Sequence, residues 1–190
     1  MITPPDKTIV LQRDCPAHLI PVGTLLMLQK GQTVTITQAL GGTYTVNVNG
    51  NLARIDSHDV DALGLTPEEP TEIKSVRERN AFLDETEVDE ESVWEQLRTC
   101  YDPEIPVNIV ELGLIYECEI TPLPGGGNRA FIMMTLTAPG CGMGPVLLAD
   151  VQKKVALVEN VTEVDVQLVF DPPWDQTMMS EAAQLQLGML

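Results

Sequence analysis

The sequence predicts an α+β domain with a small mixed sheet, preceded by a smaller domain made only of β-strands. Apolar and polar residues alternate through residues 31–55, which indicates strands. From residue 91 onward, segments of helical and of alternating spacing follow one another in the order α-β-β-α-β-α. We therefore expect an all-β domain at residues 1–65, an acidic linker at 66–90 and an α+β domain at 91–190.

The β domain is predicted from two alternations and the turns that follow them. Val34 and Ile36 alternate with threonines, and a second alternation runs through residues 44–48. Gly41-Gly42 and Asn49-Gly50 supply residues that adopt positive φ, and Asn-Gly between apolar alternations is a strong hairpin signal. Two successive hairpins are therefore expected.

The linker is predicted from its composition. Residues 66–91 contain ten acids, three bases and two prolines, with few apolar residues. This composition is typical of a solvated connector. Phe82 and Leu83 are apolar residues within it that could dock on a neighbour.

Helical spacing defines the start of the α+β domain. Val93, Leu97 and Cys100 recur at i, i+4 and i+7, and acids just before them favour the positive end of the helix dipole. Asp102-Pro103 ends this helix, because the residue before a proline is pushed away from helical angles.

Three strands and two further helices complete the α+β domain. Glu117 and Glu119 alternate with apolar neighbours, while residues 130–136 are nearly all apolar and predict a central strand in an antiparallel hairpin. A helix then begins near Pro145 and carries apolar residues at helical spacing. The remaining predicted elements are a strand at 164–168 and a last helix at 178–187.

Charge and segment composition exclude several classes of protein. The 190 residues contain 28 acids and 11 bases, and a net charge of −17 argues against nucleic-acid binding. The longest uncharged run, residues 130–149, contains Pro139 and Pro145 together with three glycines, which would break a membrane-spanning helix. The start of the sequence lacks a secretory signal pattern. We therefore expect a cytoplasmic protein with no membrane partner.

The strongest candidate for chemistry is Cys141. It lies between Gly140 and Gly142 in a segment that joins a buried strand to a helix N-terminus. Glycines let backbone N–H groups turn toward a ligand, and the helix end adds partial positive charge. Such a thiol is more readily held as the thiolate, which is the nucleophilic and metal-binding form. The alternative is a small buried residue that fills a tight turn.

The other cysteines are weaker candidates. Cys100 and Cys118 share their elements with apolar neighbours and are expected in the core. Cys15 and His18 are expected in an irregular stretch, where a thiol and an imidazole three residues apart form a weak metal-binding pattern. Five methionines in apolar runs are expected to fill gaps in the core: Met133, Met134, Met143, Met178 and Met179.

A thiol enzyme is the least favoured class. A cysteine hydrolase needs a histidine base beside its nucleophile, and the only histidines, His18 and His58, both lie in the β domain. No nucleotide-binding loop and no zinc-protease motif is present in the sequence. Asp102 and Asp171 each precede a proline, where an acid usually caps a helix or begins a turn.

Three ordered motifs resemble the SufT and PaaD family, whose shared domain serves iron-sulfur cluster maturation. They are YDPEIPVNIVELGLIY at 101–116, MTLTAPGCGMG at 134–144 and DPPW at 171–174. Two amino-terminal segments, RDCPAHLIPVGTLLMLQKG and QALGGTYTVNVNGNLARID, resemble the extension of SufT-type members, so the resemblance covers nearly the whole chain.

The resemblance implies a non-enzymatic factor that helps deliver iron-sulfur clusters to recipient apoproteins alongside the SUF assembly machinery. Cys141 matches the family's reactive cysteine, with Asp102, Glu104 and Thr137 flanking the expected site, next to Gly140 and Gly142. Many relatives have Cys-Pro where this chain has Cys141-Gly142, and the glycine gives the turn more freedom.

A single exposed thiolate does not complete the four-cysteine shell typical of a cluster. The sequence therefore predicts transient ligation of an iron-sulfur cluster by Cys141, completed by a second copy in a homo-oligomer or by a partner. The alternatives are a protein-protein adaptor in which Cys141 is structural and the acidic surface recruits basic partners, and a Cys-dependent thiol enzyme.

Overall fold

A computed structural model describes residues 7–66 and 86–189, and these residues form two compact units. The first unit contains the amino-terminal residues up to 66 together with two short segments, Pro103–Pro106 and Cys141–Val146. The second unit contains the other described residues from 86 onward.

The first unit is built on one antiparallel sheet of six strands. The strands are β1 (Lys7–Val10), β2 (Cys15–Ile20), β3 (Leu25–Leu28), β4 (Thr33–Leu40), β5 (Thr43–Val48) and β6 (Asn51–Ile55). Their order in the sheet is β1-β4-β5-β6-β2-β3. The predicted hairpins are confirmed, since β4 pairs with β5 and β5 pairs with β6.

The turns and the core of this unit follow from the sequence pattern. Gly42 and Asn49 adopt positive φ values of 78° and 52° in the two hairpin turns. The alternate apolar residues Val34, Ile36 and Val46 point into the core and are almost fully buried. A 3-10 helix at Ser57–Leu63, which the all-β prediction missed, contributes further core residues.

The second unit has the predicted order α-β-β-α-β-α and is an α+β domain. Its elements are α1 (Glu90–Arg98), β7 (Ile115–Pro122), β8 (Asn128–Met134), α2 (Gly144–Val155), β9 (Val161–Leu168), a 3-10 turn (Gln176–Met178) and α3 (Glu181–Gln186). The first residues of α2 group with the first unit. The sheet order is β7-β8-β9.

The sheet of the second unit is mixed, as predicted. β8 is its central strand and pairs antiparallel with β7 and parallel with β9. Ala130, Ile132 and Met134 of β8 are fully buried on one face. The same face receives the alternate residues of β7 and β9, so the apolar pattern read in the sequence defines the core side.

Two helix boundaries differ from the prediction. α1 ends at Arg98, before Cys100 and Tyr101, because Tyr101 leaves the helix to form a β-bridge with Asn108. The last predicted helix is divided into the 3-10 turn and α3. Ser180 causes this division, since its side chain accepts a hydrogen bond from the N–H of Ala183 and begins a new helix.

None of the helices in residues 7–66 and 86–189 combines the length and the apolar character needed to cross a membrane. The uncharged run at 130–149 is divided between β8, a loop and α2. The prediction that this run does not form a spanning helix is therefore confirmed.

Candidate functional site

The loop at residues 135–143, called here the Cys141 loop, joins β8 to α2 and carries the candidate thiol. Cys141 is a free, half-buried cysteine, and its carbonyl accepts a hydrogen bond from the N–H of Gly144 at 3.1 Å. This bond places Cys141 directly at the start of α2. Three exposed residues, Ala138, Pro139 and Gly140, precede it in the loop.

The two glycines beside Cys141 have different surroundings. Gly140 adopts a φ of +80°, and a Cβ atom added to it would meet nothing within 4 Å. A Cβ atom added to Gly142 would lie 2.2 Å from the carbonyl oxygen of Val22. A Cβ atom added to Gly23 would lie 2.0 Å from the carbonyl oxygen of Gly142.

Within the first unit, the backbone of Gly142 therefore packs directly against the turn at Val22-Gly23. That turn is tight, because the N–H of Gly23 donates to the carbonyl of Leu19 at 2.7 Å. A side chain at position 142, including the ring of a proline, would overlap the backbone of Val22. The sequence predicted that Gly142 gives the turn more conformational freedom. The structure shows in addition that only a residue without a side chain fits at this position.

Met143 anchors the far side of the Cys141 loop. Its side chain is buried, whereas Cys141 two residues earlier is only half-buried. Met134 and Met179 are also buried, which agrees with the prediction that the methionines fill the core. Met133 is half-buried on the opposite face of the sheet from Met134.

The residues expected near Cys141 differ in exposure. Asp102 is buried and Glu104 is exposed, while Thr137 is half-buried. Glu104 belongs to the segment Pro103–Pro106, which groups with the Cys141 segment in the first unit. Asp102, Thr137 and Gly140 group with the second unit. The convergence of all six residues on one site stays a prediction.

The other cysteines lie in environments that disfavour the thiolate. Burial, followed by the charge of Asp59, raises the pKa of Cys15 to about 11. Burial, followed by the charge of Glu90, raises the pKa of Cys118 to about 11. Cys100 is fully buried with its Sγ 3.7 Å from the carbonyl oxygen of Gln96. The raised pKa makes Cys15 and Cys118 poor ligands and nucleophiles at neutral pH, and Cys100 lies out of reach of solvent in the core.

The interpretation of Cys15 and His18 as a local pair in an irregular stretch is wrong. Both residues lie in strand β2, and positions three apart on a strand point to opposite faces of the sheet. Cys15 is fully buried in the core, on the face away from His18. The other histidine, His58, is paired with Asp59 at 2.9 Å.

The residues described by the structure contain no group of three or more His, Cys, Asp or Glu side chains that could hold a metal ion. A complete ligand shell is therefore not preassembled in this part of the chain. Cys141 in its open loop would supply one ligand.

The DPPW motif has a structural role that the sequence did not reveal. The indole Nε1 of Trp174 donates a hydrogen bond to the carbonyl of Leu112 at 2.8 Å. The hydroxyl of Tyr116 donates to the carbonyl of Pro172 at 2.9 Å. These two hydrogen bonds join DPPW to the end of the 101–116 motif. The presence of both motifs in one chain was the sequence feature that could have indicated this contact.

The residues around Cys141 lie in a region that resembles known proteins. Residues 90–166 match the family model described as iron-sulfur cluster assembly protein. A Fe-S protein maturation auxiliary factor from Porphyromonas gingivalis is 46% identical over 101 residues, which cover 53% of this chain and 92% of the relative. The Fe-S protein maturation auxiliary factor SufT from Staphylococcus aureus is 35% identical over 88 residues, covering 46% of this chain and 96% of that protein.

A solved structure also matches about half of the chain. The crystal structure of a domain of unknown function from Bacillus anthracis is 37% identical, with a TM-score of 0.47, and the match covers 53% of this chain and 92% of that chain. Asp102, Glu104, Thr137 and Cys141 all lie between residues 90 and 166, the range of the family match.

Proposed function

The chain belongs to the family of iron-sulfur cluster assembly proteins, and on that premise we propose that it is a non-enzymatic auxiliary factor in the maturation of iron-sulfur proteins. Its cargo is an iron-sulfur cluster, which it helps to pass from the assembly machinery to recipient apoproteins. Cys141 binds iron of the cluster transiently.

One observation carries this proposal. Cys141 is a half-buried thiol in an open loop at the start of α2, within the range matched by the family. Cys118 is also half-buried in that range, but burial raises the pKa of its thiol to about 11. Since iron binds the thiolate, the raised pKa makes Cys118 a poor ligand, and Cys141 is the ligand that we propose.

The loop geometry suits a thiol that exchanges its partner. The space beside Gly140 is open, so that a second protein can approach without displacing a side chain. Met143 and Gly142 hold the other side of the loop in place. Cys141 can therefore meet a partner while its own backbone stays fixed.

Transient ligation follows from the ligand count. Clusters are usually held by four cysteine thiolates, and the described residues contain no group of three or more ligands. The remaining ligands must come from a partner protein or from a second copy of the chain. A cluster held in this way is readily released to the protein that completes its shell.

Anaerobic reconstitution with iron and sulfide tests the role of Cys141. We expect the wild-type chain to bind iron and sulfide and to develop visible absorption and a Mössbauer spectrum of a cluster. The Cys141→Ala variant should lose both signals because the ligand is gone. Cys118→Ala is the matched control and should retain them.

Equal iron and sulfide bound by the wild type and by Cys141→Ala would refute the role of Cys141. In that case the adaptor hypothesis predicts that Cys141→Ser supports client maturation in cells as well as the wild type does. A thiol enzyme would instead show turnover that depends on His18 or His58.

A further inference from the structure

One face of the sheet in the second unit, called here the outer face, lies opposite the face that carries the fully buried side chains. It is formed by alternate residues of the three strands, and their partners follow directly from the strand register. Its main residues are Glu117, Glu119, Phe131, Met133, Glu163 and Asp165.

The centre of the outer face is apolar. Phe131 and Met133 lie there on β8, while Ala130, Ile132 and Met134 of the same strand point to the buried face. A strand that is apolar on both sides is typical of a strand covered on both sides. In the described residues, Phe131 and Met133 remain half-buried rather than covered.

The two edges of the outer face are acidic. Phe131 lies between Glu119 of β7 and Asp165 of β9 in the strand register. Glu117 follows on β7 beside Met133, and Glu163 lies on β9. Glu117, Glu119 and Glu163 are exposed, so the apolar centre has carboxylates along both sides.

Arg129 is the basic residue at one end of this face and is already paired. Its guanidinium contacts Glu163 at 3.2 Å and also forms an ion pair with Asp165. The acids on the β7 side, Glu117 and Glu119, face no such cation among the ion pairs of the described residues. The outer face therefore keeps a negative potential around an apolar strip.

We propose that the outer face binds a basic amphipathic helix of a partner protein, with its apolar stripe along β8 and its Lys or Arg residues over the acidic β7 edge, Glu117 and Glu119. The dimensions agree, since strands about 4.8 Å apart place the two edges about 10 Å from each other. A helix is about 10–12 Å wide and covers this span. This surface contains none of the residues proposed to bind a cluster, so the inference goes beyond the proposed function.

Charge also distinguishes this partner from a second copy of the chain. A second copy would bring the same carboxylates against Glu117, Glu119 and Glu163, and like charges that face each other cost binding energy. A basic helix instead pairs its cations with Glu117 and Glu119 and places apolar residues on Phe131 and Met133.

The test uses a synthetic amphipathic helix of leucine and lysine, and the same peptide with glutamate in place of lysine. Binding to the full chain is measured by titration calorimetry, and the bound face is located by NMR shifts of Phe131 and Met133. We expect the lysine peptide to bind and the glutamate peptide to bind at least about tenfold more weakly.

Variants of the chain distinguish binding of the peptide to the outer face from attraction of the peptide by the overall negative charge. Glu117→Lys with Glu119→Lys should weaken binding of the lysine peptide by about tenfold, and Phe131→Ser should weaken it similarly. Glu159→Lys with Glu181→Lys makes the same change in net charge at exposed sites outside this face and should have a much smaller effect. The charge variants alter exposed residues, so they test the proposal even if Phe131→Ser fails to fold.

Three results would overturn the proposal. The first is no binding of the lysine peptide, and the second is equal weakening by both pairs of charge reversals. The third is a wild-type dimer in sedimentation equilibrium that Phe131→Ser dissociates, which would assign the face to a second copy.

Discussion

Single residues determine which thiols can react. Cys15 and Cys118 have a pKa of about 11 because burial disfavours the charged thiolate, and nearby carboxylates add to the effect. Both thiols therefore stay protonated at neutral pH. Cys141 is half-buried in a loop and follows three exposed residues, Ala138, Pro139 and Gly140.

Alkylation of the native chain should follow this difference. At about pH 8 we expect iodoacetamide to modify Cys141 while Cys15 and Cys118 remain unmodified, because only the thiolate reacts. Modification of the half-buried Cys118 should increase as the pH approaches its pKa of about 11. Mass spectrometry of the digested protein measures each site. Modification of Cys118 at about pH 8 as fast as that of Cys141 would contradict the assignment.

Gly142 offers a second test at the scale of one residue. Gly142→Ala places a Cβ atom 2.2 Å from the carbonyl oxygen of Val22, so backbone must shift to accept it. We expect the free energy of unfolding to fall by about 1–3 kcal/mol, as in other overpacked sites. Chemical denaturation measures the change.

Gly125→Ala is the matched control for this substitution. A Cβ atom added at Gly125 would meet nothing within 4 Å, and Gly125 does not adopt a positive φ. Its free energy of unfolding should change by no more than about 0.5 kcal/mol. If Gly142→Ala is equally neutral, the packing of the loop against Val22 does not contribute to stability.

At the scale of elements, the strands were predictable and the ends of the helices were not. β7 and β9 follow from alternation, and β8 follows from a short run of nearly all apolar residues, which is typical of a central strand. The boundaries of α1 and α3 depend on Tyr101 and Ser180, whose partners decide where the helix stops or starts. The 3-10 helix at Ser57–Leu63 has too few residues for a periodic signal.

The DPPW motif at 171–174 is joined by hydrogen bonds to the end of the 101–116 motif. Trp174→Phe removes the hydrogen bond to Leu112 and leaves that carbonyl without its indole donor, which should lower the free energy of unfolding by about 1–3 kcal/mol. Tyr116→Phe removes a more exposed bond to Pro172 and should cost less. Thermal unfolding of both variants measures the difference. A larger loss for Tyr116→Phe would contradict this assignment.

At the scale of the whole molecule, the sequence predicted the order of helices and strands better than it predicted the contacts around Cys141. The motif around Cys141 identified the loop because glycines and a helix start are local features. The contact of Gly142 with Val22 joins residues about 120 positions apart, and nothing in either segment alone indicates it. Likewise, the net charge of −17 does not reveal which carboxylates border an apolar strip.

The close approach of Gly23 and Gly142 has an evolutionary consequence. A side chain at position 23 would meet the carbonyl of Gly142, and one at position 142 would meet the carbonyl of Val22, so positions 23 and 142 should vary together across homologues that contain both segments. Homologues without the segment around Val22 escape this restriction and can hold a larger residue, including proline, after the cysteine. Gain of the amino-terminal segment and acceptance of glycine after the cysteine should therefore coincide in the history of the family.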